Sequence, residues 1–159
     1  MGKKIEEEKV VCQYIMEALL LNIVEQPNLT LNYADLSERI NVNISARDLS
    51  SRLALVYHLC TNLGCPSLPV MVLNQKERRP SQWFYRQYEI IHQLDGVNER
   101  AIFQKELDNV YSYLEWEKIA KQLNLDEQLI IRLEKRSKQL KEHLRKEMTH
   151  AGGDPFPSS

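Results

Sequence analysis

The segment Ser45-Ala46-Arg47-Asp48-Leu49-Ser50-Ser51-Arg52-Leu53-Ala54-Leu55-Val56-Tyr57-His58-Leu59-Cys60-Thr61-Asn62-Leu63-Gly64 carries helix signals at both ends and along its length. Ser45 followed by Asp48 is a start signal: the hydroxyl caps a free amide, and the acid sits at the positive end of the helix. Leu49, Leu53, Val56, Cys60 and Leu63 then recur at alternating spacings of four and three, which is one face of a helix. Gly64 and Pro66 stop it. The opposite face, Arg47, Ser51, Ala54, His58 and Asn62, is small and polar with one arginine at its front. The spacing predicts a helix over 45–64.

On the N-terminal side, Val10, Val11, Tyr14, Ile15, Ala18, Leu19 and Ile23 predict an amphipathic helix over 5–25, stopped by Pro27. Leu29-Thr30-Leu31 reads as a short strand. Residues 33–40 read as a second helix with Leu36 and Ile40 inward, and Asn41 to Ser45 as a turn. On the C-terminal side, Leu68-Pro69-Val70-Met71-Val72-Leu73 is β-type. A basic turn, Asn74 to Pro80, separates it from the aromatic, strand-like Gln82-Trp83-Phe84-Tyr85. Three helices followed by a two-stranded hairpin with a charged tip is the order of a winged helix-turn-helix. The expected fold is therefore mainly α with a small β component: a winged helix-turn-helix over 5–92 and a helical C-terminal extension over 98–148. Helices are expected over part of 83–94, over 98–123 and over 126–148, and the tail 149–159 is expected to be disordered.

The chain has 159 residues, with 21 Lys+Arg against 22 Asp+Glu and a formal charge of −1. A chain of this length buries roughly 68–70% of its unfolded surface, so it folds without disulfides or a structural metal. Three cysteines, Cys12, Cys60 and Cys65, are too few for a disulfide scaffold and predict reduced thiols in a cytoplasmic protein. No apolar run approaches the roughly 20 residues that span a bilayer, so no membrane partner is expected. Glu6, Glu7 and Glu8 stand where the apolar core of a signal peptide would begin.

The near-zero net charge conceals a segregation. Between 75 and 86, Lys76, Arg78, Arg79 and Arg86 outweigh Glu77 by three charges. Between 132 and 146, seven basic residues outweigh Glu134 and Glu142 by five. A basic tip and a basic helix on a neutral protein are the electrostatic footprint of a nucleic-acid binder. The candidate DNA contacts are Tyr33, Arg47, Ser51, Arg52 and His58 on the helical pair, with Lys76, Arg78 and Arg79 on phosphates. The aromatic run Trp83-Phe84-Tyr85 is either core or a stacking surface.

The stretches Leu31-Asn32-Tyr33-Ala34-Asp35-Leu36 and Ser45-Ala46-Arg47-Asp48-Leu49-Ser50 resemble the DNA-binding domain of the O6-alkylguanine-DNA alkyltransferases and alkyltransferase-like proteins. That family opens the first helix of its motif with Tyr and the recognition helix with Ala-Arg-x-Val-Gly. The interval of 14 residues from Tyr33 to Arg47 is similar to the family's. The resemblance implies that Tyr33 contacts the phosphate of a target nucleotide and that Arg47 fills the space of a flipped-out base. The family's reactive Pro-Cys-His-Arg falls near Leu68 to Val72, where this chain has neither cysteine nor histidine, so alkyl transfer has no acceptor thiolate. Ser50 stands where the family has Gly, and helix 45–64 is about six residues longer.

No other catalytic signature is present. The five glycines are scattered, and neither Gly-x-Ser-x-Gly nor His-Glu-x-x-His occurs. His58 and Cys60 are about 200° apart on a helix and lack further ligands, so no metal or cofactor is expected. A non-enzymatic duplex-DNA-binding protein is the leading expectation. The alternative is an interaction module of phage or mobile-element type, acting on a nucleic-acid-processing complex or pairing as a homodimer. Its surface would be Leu55 together with Leu133, Leu140 and Leu144 of helix 126–148. A second alternative is an inactive alkyltransferase-like damage sensor.

Overall fold

Asparagine and serine side chains start the helices that organise this chain. Asn32 and Asp35 form a reciprocal capping box: the Asp35 amide donates to Asn32 Oδ1 at 2.8 Å, and the Asn32 amide donates to Asp35 Oδ2 at 3.3 Å. The Asp48 amide donates to Ser45 Oγ at 3.1 Å, and the Ala101 amide to Asn98 Oδ1 at 3.2 Å. Each cap satisfies one of the amides that a helix start leaves without an intrahelical partner.

A computed structural model describes residues 2–25 and 30–150 of the chain. Among them, seven α-helices, one 3-10 turn and two short strands follow in the order α1 (Gly2–Glu25), β1 (Leu31–Asn32), α2 (Tyr33–Ile40), α3 (Ala46–Leu63), the 3-10 turn Leu68–Met71, β2 (Val72–Leu73), α4 (Gln82–His92), α5 (Glu99–Ser112), α6 (Trp116–Gln122) and α7 (Glu127–His150). No helix among the described residues is long and apolar enough to cross a membrane. The chain divides into two compact units, one ending at Tyr113 and one beginning at Leu114.

In the first unit, α1 packs against α2, α3 and the 3-10 turn. It contributes Ile15, Met16, Leu19, Leu20 and Ile23, all essentially inaccessible to solvent. Burial of such side chains stabilises by about 1.5–3 kcal/mol each. The inner face of α3 is Leu49, Leu53, Val56, Tyr57 and Cys60: the stripe its sequence spacing predicts, with Tyr57 added and Leu63, at the helix end, only half-buried. α5 belongs to this unit, because it packs on the 3-10 turn and buries Val110. The boundary thus lies after Tyr113 rather than between 92 and 98.

The expected strand over 68–73 is only partly a strand. Leu68–Met71 forms a 3-10 turn with Pro69 in its first turn, where the missing N–H costs nothing and the fixed φ suits the turn. All four residues are buried, which an alternating strand with one solvent face does not achieve. Only Val72 and Leu73 are extended. They pair in parallel with Leu31 and Asn32, so β1 lies two residues beyond the expected start at Leu29, which falls outside the described residues.

The expected strand over 82–85 is the first turn of α4. Phe84 and Tyr88, four residues apart, are both buried, and the Phe84 ring stands edge-on to Tyr57 of α3 at 5.3 Å and 79°. Helical spacing delivers that contact to α3, and tertiary packing overrides the β preference of the aromatic run. No two-stranded wing forms: the basic segment 74–80 is a loop between β2 and α4.

The single helix expected over 98–123 is two helices, broken where Tyr113 becomes extended (φ −65°, ψ 129°). No glycine or proline marks that break. In the second unit, α6 packs on α7 and buries Trp116, Ile119, Ala120, Leu125, Leu129 and Leu133. Ser137, an apparent gap in the leucine spacing, is buried and donates its hydroxyl to the Leu114 carbonyl. Thr149 and His150, expected in the tail, still belong to α7, and 151–159 lie outside the described residues.

Candidate nucleic-acid interface

α2 and α3 are joined by the short segment Asn41 to Ser45. α2 ends at Asn41, whose left-handed conformation (φ 53°) is one that asparagine tolerates. Residues 42–45 then lead to the Ser45 cap and α3. Arg47, Ser51, Leu55 and His58 are all exposed, and their spacings of four, four and three align them along one stripe of α3. The Ser51 hydroxyl donates to the Arg47 carbonyl at 3.3 Å, leaving its oxygen lone pairs for an outside donor. Arg52 is half-buried and turns away from the stripe by about 100° relative to Ser51.

The loop between β2 and α4 closes on itself. The Asn74 amide donates to the Arg79 carbonyl at 2.7 Å, and the Arg78 amide returns to the Asn74 carbonyl at 2.8 Å. Asn74 Oδ1 accepts the Lys76 amide at 3.0 Å, an Asx turn within the loop. The result is a tight exposed tip at 75–79, with Arg78 held at φ 53°. Such a conformation costs a non-glycine residue roughly 1–2 kcal/mol.

The three cations of the tip are not equivalent. Arg79 Nε donates to Glu77 Oε2 at 2.7 Å, and its Nη1 lies 3.6 Å from Glu99 Oε1. The Glu77 carboxylate holds the Arg79 guanidinium above its ordinary pKa. Arg79 therefore fixes the loop to α5. Lys76 and Arg78 are exposed and make no ion pair among the described residues.

Tyr33 lies at the centre of this surface. Its hydroxyl accepts from Trp83 Nε1 at 2.9 Å and from Ser50 Oγ at 3.2 Å, and it shares a 2.9 Å hydrogen bond with Ser81 Oγ. One oxygen thus ties the start of α2, the second turn of α3 and the start of α4. Ser81 directly follows the basic loop, so the cluster also braces the loop against α3. Three neighbours use the donor and both lone pairs of the hydroxyl, which leaves no capacity for the phosphate contact that the resemblance implies. Ser50 and Ser81 carry no functional signal in the sequence, and Trp83 reads there as core or stacking surface rather than as a donor to Tyr33, since Tyr33 meets them across separations of 17, 48 and 50 residues. Phe84 and Tyr85 are core and Trp83 is half-buried, so the aromatic run presents no stacking platform.

The candidate partner-binding leucines separate. Leu55 is 45% exposed, whereas Leu133 is buried beneath α6 and has no surface to offer. Leu140 and Leu144 are half-buried on α7. His58 is exposed and Cys60 is buried, and no group of residues suited to holding a metal ion occurs among the described residues. The chain matches no protein-family model, no curated protein and no solved structure.

Proposed function

We propose that the unit ending at Tyr113 binds duplex DNA through α2, the 41–45 turn and α3. The loop 74–80 takes the place of a stranded wing. The observation that carries this reading is the Tyr33 hydroxyl cluster, which braces the N-terminal half of α3 beside the base of a closed basic loop. Arg47, Ser51 and His58 face a groove from α3, while Lys76 and Arg78 neutralise phosphates. Arg79 shapes the loop, Tyr33 braces the surface from within, and Arg52 takes no direct part.

Duplex affinity should fall linearly in log–log form as salt rises. Replacing Lys76 and Arg78 together by alanine should flatten that slope by up to about 0.9 for each lost phosphate contact. Arg47→Ala should weaken binding without changing the fold. Affinity that does not vary with salt, or no affinity for any duplex, overturns the reading.

A second reading rests on exposed apolar side chains. Ile90 and Leu94 are 68% and 46% exposed around the end of α4, and Leu55 interrupts the polar stripe of α3. Such residues suit a protein partner working on a nucleic-acid complex. A partner that co-purifies after complete nuclease digestion, and is lost with Leu55→Asp or Ile90→Asp, supports it. Loss of the partner on digestion alone returns the reading to DNA.

A further inference from the structure

The C-terminal end of α3 sets two cysteines against each other. The Gly64 amide (φ 72°) donates to the Thr61 carbonyl at 3.2 Å, and the Cys65 amide to the Cys60 carbonyl at 3.1 Å. This pair of bonds is a Schellman ending. It brings the side chain just past the glycine onto the one five residues earlier, a place that an apolar contact usually fills. Here two thiols fill it. Cys65 Sγ lies 3.6 Å from the Cys60 carbonyl oxygen, to which its thiol donates. Both cysteines are free; Cys60 is fully buried and Cys65 is half-exposed.

We propose that Cys60 and Cys65 are a dithiol modification site, which low-molecular-weight disulfides of the glutathione type convert to an intramolecular disulfide. Only Cys65 meets solvent, so it reacts first. Cys65 loses its proton to solvent, and the resulting thiolate attacks one sulfur of the reagent. A Cys65–glutathione bond forms, the reagent's own S–S bond breaks, and the departing glutathione thiolate takes a proton. The Cys60 thiol then loses its proton to solvent and attacks Cys65 Sγ. The Cys60–Cys65 bond forms and the second glutathione leaves and is protonated. Two protein thiols are oxidised, and one small disulfide is reduced to two thiols. The 6→1 backbone bond closes the chain to the order of separation that disulfides span, Cα to Cα roughly 4.4–6.8 Å. The second step therefore needs little backbone movement.

The full chain carrying Cys12→Ser, treated with oxidised glutathione under native conditions, tests this. The expected product has lost two hydrogens and gives a peptide linked through Cys60 and Cys65, without a lasting glutathione adduct. With Cys60 also changed to alanine or serine, whichever keeps the melting transition, one glutathione should remain on Cys65. With Cys65→Ser instead, the buried Cys60 should stay unmodified. A stable Cys65 adduct while Cys60 is present, or no reaction at either cysteine, overturns the proposal.

Discussion

The Tyr33 hydroxyl has three hydrogen-bonding neighbours, and its removal has a calculable effect. Tyr33→Phe leaves the half-buried Trp83 indole N–H, Ser50 and Ser81 without their common partner, at a cost of about 1–3 kcal/mol. In a protein of this size each kcal/mol lowers the melting temperature by about 2–4 °C. Binding per folded molecule should change little, since the hydroxyl braces the surface rather than touching DNA. A loss of affinity without a loss of stability would assign Tyr33 to direct contact. The sequence places Tyr33 at the start of α2 and, through the resemblance, on a phosphate, whereas its hydroxyl is taken up within the protein. Its partners were illegible because hydrogen bonds across 48 and 50 residues leave no periodic trace. Ser45 was legible because a cap and the amide it satisfies are three residues apart. Ser45→Ala should cost about 1 kcal/mol, read as a drop in melting temperature.

Elements whose signals are local formed close to the expected bounds: α2, α3 and α7 begin and end within two residues of them, whereas α1 forms with its inner face turned, Val10 and Tyr14 exposed and Met16 and Leu20 buried. The strand readings around the basic loop went astray, because short apolar and aromatic runs have no period long enough to separate strand from helix. Pro69 turned the first into a 3-10 segment, and packing of Phe84 on Tyr57 turned the second into α4. The loop between them carries a trade-off. Arg78→Gly should relieve its left-handed backbone and raise stability by up to about 1 kcal/mol. The same change should weaken duplex binding and reduce its salt slope. A glycine variant that binds undiminished would remove Arg78 from the interface.

Across the whole molecule, stability should vary with pH through a group that the charge count did not reveal. Burial holds the Glu106 carboxyl above its ordinary pKa, against the opposing pull of His92 and Lys105. The folded state therefore favours the neutral form. That contribution is fully present below the unfolded carboxylate pKa and is lost as pH rises through the higher folded value. Glu106→Gln should accordingly raise the melting temperature near pH 7, and the gain should vanish towards pH 4; a gain that persists at pH 4 would show another cause. The division of the chain was not legible either, since α5 follows a gap at 93–98 that looks like a linker yet packs into the first core. A chain ending at Tyr113 should keep a single cooperative melting transition, measured by circular dichroism.

The parallel pairing of β1 with β2 also bears on the order in which the first unit assembles. Two residue pairs cannot offset the entropy of closing a loop that contains all of α2 and α3. The ladder can persist only once both helices have docked on α1 and shortened the effective closure. It is a clasp fastened late. In refolding followed by pulsed hydrogen exchange, amides of the β1–β2 pair should gain protection after those of α3, and Leu31→Ala should speed unfolding far more than it slows folding.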